Sequence, residues 1–288
     1  MLAGYKGDGI DVEPEIHNFA EQLDLDIKIW DIVQHGVMDQ PSCGQGCSGN
    51  PYDAKWAFGP VRHGDLHEIG HTVEQKEFRF EDWDGHASTN MYSYYSKSRY
   101  FHNSGGTDVQ CQTDPNQESL YETLNAAALT ADPTKEMSKF DLFNWKYGRT
   151  INVHVYMAAQ RYGELANGWH LLAREHIVKR NFDTIVKDEA DWNVKKANIG
   201  FDNYSFEEAK NISRNDWLLI VTSFSARLDF VDYFNMWGYS FSDKAIAQVK
   251  SYNYTEVPRV FFDYTNGSYC EGFSFTPLLV DGNTIWPH

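Results

Sequence analysis

His67-Glu68-Ile69-Gly70-His71 is the stretch whose residue types and spacing most directly imply chemistry. On an α-helix, residues four apart project from nearly the same face, so both imidazoles can reach one metal ion. Glu68 is rotated by about 100° from His67, which sets its carboxylate beside a water on the metal and not on the metal itself. That makes Glu68 the natural general base of a zinc hydrolase. A catalytic zinc generally takes three protein ligands and keeps one position open, so a third ligand must come from farther along the chain.

Two arrangements can supply it. The metzincin arrangement needs glycine at position 74 and histidine at position 77, where this chain has Glu74 and Glu77. It is therefore excluded. Without the glycine turn the helix is expected to run on, carrying Glu77 away from the zinc face. The alternative is a ligand from a second helix beyond the loop at residues 79–85, and His86 opens that helix. Neutral imidazole is an ordinary zinc ligand, and a His₃ set leaves the metal more positive than His₂Glu. Glu81, Asp82 and Asp84 in the loop are rival donors.

Other elements must hold these groups in place. Residues 24–34 begin with apolar alternation, which predicts a half-buried strand, and residues 54–58 predict a short aromatic second strand. Residues 64–79 contain no proline and read as the metal-binding helix. From Tyr121 the chain turns mainly helical, with apolar residues at three- and four-residue spacing over 152–162, 169–182 and 216–237. Gly163, Gly168 and Gly238 stand near the ends of those segments. Residues 260–286 return to a small β element. No repeat or long linker divides the chain. The expected architecture is α+β: a zincin-like catalytic domain with a small N-terminal sheet, the HExxH helix and a mainly helical C-terminal half. It forms a single domain over 1–288, with lobes at about 1–120 and 121–288.

Composition narrows the function classes. With 42% hydrophobic residues the chain can bury a core, so global disorder is excluded. Lys and Arg number 25 against 41 Asp and Glu, a net charge of −16 that repels polyanions, so nucleic acid is not an expected partner. No apolar run approaches the length of a membrane helix, and the first residues lack the apolar region of a signal peptide. Cys43, Cys47, Cys111 and Cys270 lack paired zinc-site spacing. The glycines around Cys43 and Cys47 permit a tight disulfide loop, and an oxidising compartment would close it, whereas a cytosolic protein would keep four thiols. A secreted domain excised from a longer chain and acting as a monomer is the expectation.

The order of strand, His67-Glu68-Ile69-Gly70-His71, a loop with Trp83 and a helix with Thr89-Asn90 resembles the enhancin-like zinc peptidases. The stretches Met38-Asp39-Gln40-Pro41-Ser42-Cys43-Gly44, Gly49-Asn50-Pro51-Tyr52-Asp53-Ala54 and Tyr92-Ser93-Tyr94-Tyr95-Ser96-Lys97-Ser98-Arg99-Tyr100 are more similar to its immunomodulating metallopeptidase (ImpA) branch. In much of that group a glutamate four residues before the asparagine ligates the metal, and here His86 occupies that position. The resemblance implies a gluzincin-like, zinc-dependent endopeptidase, secreted or at the cell surface, that cleaves mucins and other O-glycosylated proteins. Such an enzyme would bind its metal through His67, His71 and His86.

Aromatic residues are candidates for substrate binding. Trp56 and Phe58 precede the zinc helix where zincins keep an edge strand that can pair with an extended peptide, although both could equally pack beneath the helix. Tyr92, Tyr94 or Tyr95 could donate a hydrogen bond to the tetrahedral oxyanion, as could His63, His154, His170 or His176. Trp169, Trp192, Trp217 and Trp237 could stack on sugars or simply pack. Two other readings compete with the peptidase: a catalytically idle glycoprotein-binding module and a cytosolic metallohydrolase of small substrates.

Overall fold

The computed structural model describes residues 2–30, 70, 71, 73–81, 87–92, 95, 96, 100, 145–263 and 276–281, with backbone alone over 145–150. Helices α1 (Pro14–Gln22), α2 (Trp145–Tyr162), α3 (His170–Ile185), α4 (Glu189–Lys195), α5 (Phe206–Lys210), α6 (Arg214–Ala226), α7 (Val231–Met236) and α8 (Asp243–Ser251) dominate the described residues. Four short strands join them: β1 (Leu228–Asp229), β2 (Thr255–Glu256), β3 (Val260–Asp263) and β4 (Thr276–Leu279). β1 and β2 pair in parallel. β3 and β4 pair antiparallel, with Val260 opposite Leu279. The fold is mixed α and β, with most of its regular structure in helices.

Helix α3 is the axis of the core. Every residue from His170 to Lys179 is buried, which an amphipathic surface helix could not tolerate, because it is packed by α1, α2, α4 and α6. Trp192 and Trp217 are buried against its Phe182 and Trp169 is buried at its start, while Trp237 is buried against His154 and Phe261. Serines start the flanking helices where sequence capping rules place them: Ser213 accepts from the Asp216 N–H, and Ser242 from the Ala245 N–H. Ser205 and Glu208 form a full capping box on α5.

Several expected elements take different bounds. The periodic segment 216–237 is two helices, because Arg227 adopts a left-handed backbone (φ 56°) that ends α6. Its side chain is held there by Glu164 and Gln22, and Leu228–Asp229 peels off to pair with β2. In residues 24–30 the alternation is expressed as burial: Leu25 and Ile27 are buried while Asp24, Asp26 and Lys28 are exposed. The backbone there makes only a bridge from Ile29 to Lys6, and a strand is not formed over the described part. The helix expected to bind metal ends earlier than the sequence suggests. Gly70, His71 and Val73 are helical, but Gln75 is extended, Lys76–Phe78 is a single 3-10 turn and Arg79 is extended. Glu77 therefore does not ride on a continuing helix. It lies in that turn, 3.7 Å from Lys179 Nζ.

The segment leaving that helix is gripped by the C-terminal half. The Glu81 N–H donates to Asn215 Oδ1 (2.7 Å), and Glu81 Oε1 accepts from the Arg214 N–H (3.1 Å). Phe80 stacks on Tyr239, and Phe78 meets the His176 ring edge-on.

Candidate active site

Residues 87–92 form the next helix, and Gly70 is where the two helices touch. A Cβ at position 70 would lie 2.9 Å from both the carbonyl oxygen and Cγ2 of Thr89 and 3.0 Å from Tyr92 Cδ2. Only glycine admits so close an approach, and the closeness is what brings the following residues into contact.

His71 is half-buried at that junction, and its Nδ1 lies 2.8 Å from Glu74 Oε1 and 3.2 Å from Thr89 Oγ1. The other carboxylate oxygen of Glu74 accepts from the Thr89 hydroxyl at 2.5 Å and from the Ser88 hydroxyl at 2.8 Å. Arg79 stands 3.6 Å from the same oxygen. Burial works against ionisation of Glu74, but hydrogen bonds from His71, Thr89 and Ser88 outweigh it and hold the carboxyl below its ordinary range. A carboxylate can only accept, so Nδ1 of His71 carries the hydrogen of that bond. Coordination of a metal by His71 would then fall to Nε2.

Tyr92 faces the interior. Its hydroxyl bonds His176 Nε2 at 2.6 Å, linking the second helix to α3. Burial raises the Tyr92 phenol well above its ordinary value. Burial, helped by the charges of Arg180 and Lys179, lowers His176 well below its own, so both groups are neutral. Tyr95 is buried against Trp169, with ring centroids 5.9 Å apart. Beside Tyr92 and Tyr156 lies Glu175, buried on α3, whose Oε1 accepts from the Thr222 hydroxyl at 2.7 Å. Burial raises its carboxyl to about 7 against that bond.

Of the other candidates proposed from sequence, His154, His170 and the four tryptophans occupy structural positions, while His63 and Tyr94 lie outside the described residues. His154 is fully buried against Phe261 and Phe262 and accepts from the Phe262 N–H, and His170 pairs with Glu15 on α1. The four tryptophans are too buried to stack on a sugar. Glu81, a rival third ligand, is turned to the start of α6 and lines a cleft of about 790 Å³ with Lys76, Lys179 and Arg214. His67, Glu68 and His86 lie outside the described residues, as do Trp56, Phe58, Asp82, Asp84, Cys43 and Cys47. Among the described residues no three His, Cys, Asp or Glu side chains gather as a metal cluster.

Sequence reasoning missed Glu74, which entered only as the residue that excludes the metzincin pattern. The signal was available: a carboxylate three residues after a helical histidine shares its face and can bond its second ring nitrogen.

No known family profile matches the chain. In sequence it is 28% identical to the immunomodulating metalloprotease of Pseudomonas aeruginosa, over 88% of this chain and 28% of that protein. In structure it superposes on the IMPa metallopeptidase in complex with T-antigen with a TM-score of 0.74 at 24% identity, covering 100% of this chain and 34% of the other. It superposes on IMPa from Pseudomonas aeruginosa in complex with an O-glycopeptide with a TM-score of 0.73 at 21% identity, covering 100% and 34%. The chain thus spans about a third or less of the length of these relatives. In sequence over most of its length and in fold over all of it, the chain is similar to the immunomodulating metallopeptidases, as the motifs around His67 and Tyr92 imply.

Proposed function

We propose that this chain is the catalytic domain of a zinc-dependent endopeptidase that cleaves O-glycosylated, mucin-like proteins outside the cell. One observation carries the reading: the second histidine of the HExxH motif is fixed through Nδ1, the ring nitrogen that a helical metal ligand gives to its neighbours, where two helices meet at Gly70. The sequence and fold likeness to metallopeptidases supports the same reading, and the relatives solved with T-antigen and with an O-glycopeptide suggest the substrate class.

The donor set fits zinc. His67 and His71, four residues apart in the motif, and His86, which directly precedes the helix at residues 87–92 in sequence, would hold it, in a gluzincin-like single domain over 1–288. Bound zinc supplies a Lewis acid that polarises the peptide carbonyl and makes water more acidic. Glu68 takes the proton from the attacking water and returns it to the departing amine nitrogen. Trp56 and Phe58 offer an edge on which an extended peptide can pair, leaving its glycan to be met from the helical half. Tyr92 and Tyr95 support the second helix from within, since their side chains are committed to His176 and Trp169.

The test is proteolysis of an O-glycosylated mucin and its enzymatically deglycosylated counterpart, each with and without a chelator. Cleavage confined to the glycosylated, chelator-free sample is expected. Equal cleavage of both substrates would remove the glycan preference, and cleavage that survives the chelator would remove the metal.

A further inference from the structure

We propose that Glu74 is a positioning residue that locks His71 in its Nδ1–H tautomer, and that Ser88 and Thr89 of the following helix hold the lock closed. The inference rests on the metallopeptidase reading and adds to it a residue outside the HExxH motif.

Geometry carries the argument. Each oxygen of the Glu74 carboxylate has a distinct task, Oε1 bonding His71 Nδ1 at 2.8 Å and Oε2 accepting two hydroxyls at 2.5 and 2.8 Å. With both oxygens so placed, Glu74 is not a metal ligand in this arrangement. Ser88 and Thr89 are buried, so the carboxylate exchanges its water for two fixed donors. Thr89 Oγ1 also lies 3.2 Å from His71 Nδ1, so the hydroxyl that donates to Glu74 can accept part of the imidazole hydrogen bond. Histidine, carboxylate and hydroxyls thus close into a ring of contacts that joins the two helices. Donating the Nδ1 hydrogen to the Glu74 carboxylate raises the basicity of Nε2, and the fixed ring orientation removes the entropy of turning it toward a metal. The same contacts make the second helix part of the site independently of any ligand it carries, because a shift of residues 88 and 89 turns the His71 ring through Glu74.

Glu74→Gln and the double variant Ser88→Ala/Thr89→Val test this against His71→Ala. Two readouts are taken on full-length protein: the zinc dissociation constant by competition with a chromophoric chelator, and the His71 tautomer from ¹⁵N imidazole shifts of the metal-free protein. Glu74→Gln is expected to weaken zinc binding by about 10- to 100-fold and to lose the single Nδ1–H tautomer. The double variant moves both readouts in the same direction by less, with circular dichroism unchanged. Wild-type zinc affinity and an unchanged tautomer in Glu74→Gln overturn the proposal. Should Glu74→Gln not fold, the same unchanged readouts in the double variant overturn it. If His71→Ala binds zinc as wild type does, the metallopeptidase reading fails with it. If His71→Ala loses zinc while Glu74→Gln keeps it, only the positioning role falls.

Discussion

Replacing Glu175 by glutamine should stabilise the protein, and by an amount that depends on pH. The carboxyl is buried on α3, with the Thr222 hydroxyl from α6 as its hydrogen-bond donor, and among the described residues no cation pairs with it. Burial raises it from 4.5 to about 7. A raised carboxyl binds its proton more tightly folded than unfolded, so folding stability falls as pH climbs from the unfolded value to the folded one and is level above that. The displacement is worth about 3 kcal/mol at full development, taking about 1.4 kcal/mol for each pH unit. Glutamine keeps the shape and can accept from Thr222, but it never ionises. Thermal unfolding of both proteins at about pH 5 and about pH 8 reads the effect. Little difference is expected in acid, while the variant should melt roughly 5 to 10 °C higher in the alkaline buffer. A melting difference independent of pH would refute the argument, since a packing change alone does not titrate.

Glu68→Gln should retain zinc by elemental analysis and lose about 10²- to 10⁴-fold in turnover, and loss of metal would make Glu68 structural. Gly70→Ala should cost about 1–3 kcal/mol by denaturant unfolding, because the added carbon meets the Thr89 carbonyl at 2.9 Å and the two helices must part. Wild-type stability there would mean that the helices separate freely. Cys43 and Cys47 should form a disulfide, so thiol titration of unfolded, unreduced protein should find two fewer reactive cysteines than after reduction; four reactive thiols would rule the bridge out.

The parts of the molecule that the sequence made legible are those governed by local rules. Leu25 and Ile27 turn inward as alternation requires, and α2 and α3 cover the segments 152–162 and 169–182 that three- and four-residue spacing predicts. What escaped depends on distant partners. No propensity marks the stop after Val73, where Glu74 turns to Ser88 and Thr89 and Glu81 is drawn to the start of α6. The break at Arg227 likewise depends on Glu164 and Gln22, and the periodicity of 216–237 runs straight through it. Tyr92 looked available for substrate because a tyrosine on a helix gives no hint of which face is covered. His176, 84 residues later, is what covers it.

The clamp on residues 78–81 has a consequence for the order of events during synthesis. Glu81 bonds residues 133 and 134 positions downstream, and Phe80 stacks on Tyr239. A ribosome that has released the HExxH helix has not yet made the surfaces that fix its exit. Contacts of such long sequence separation form late, after the intervening chain has been ordered. On the proposed reading, the candidate site therefore stays incomplete until α6 and Tyr239 have emerged.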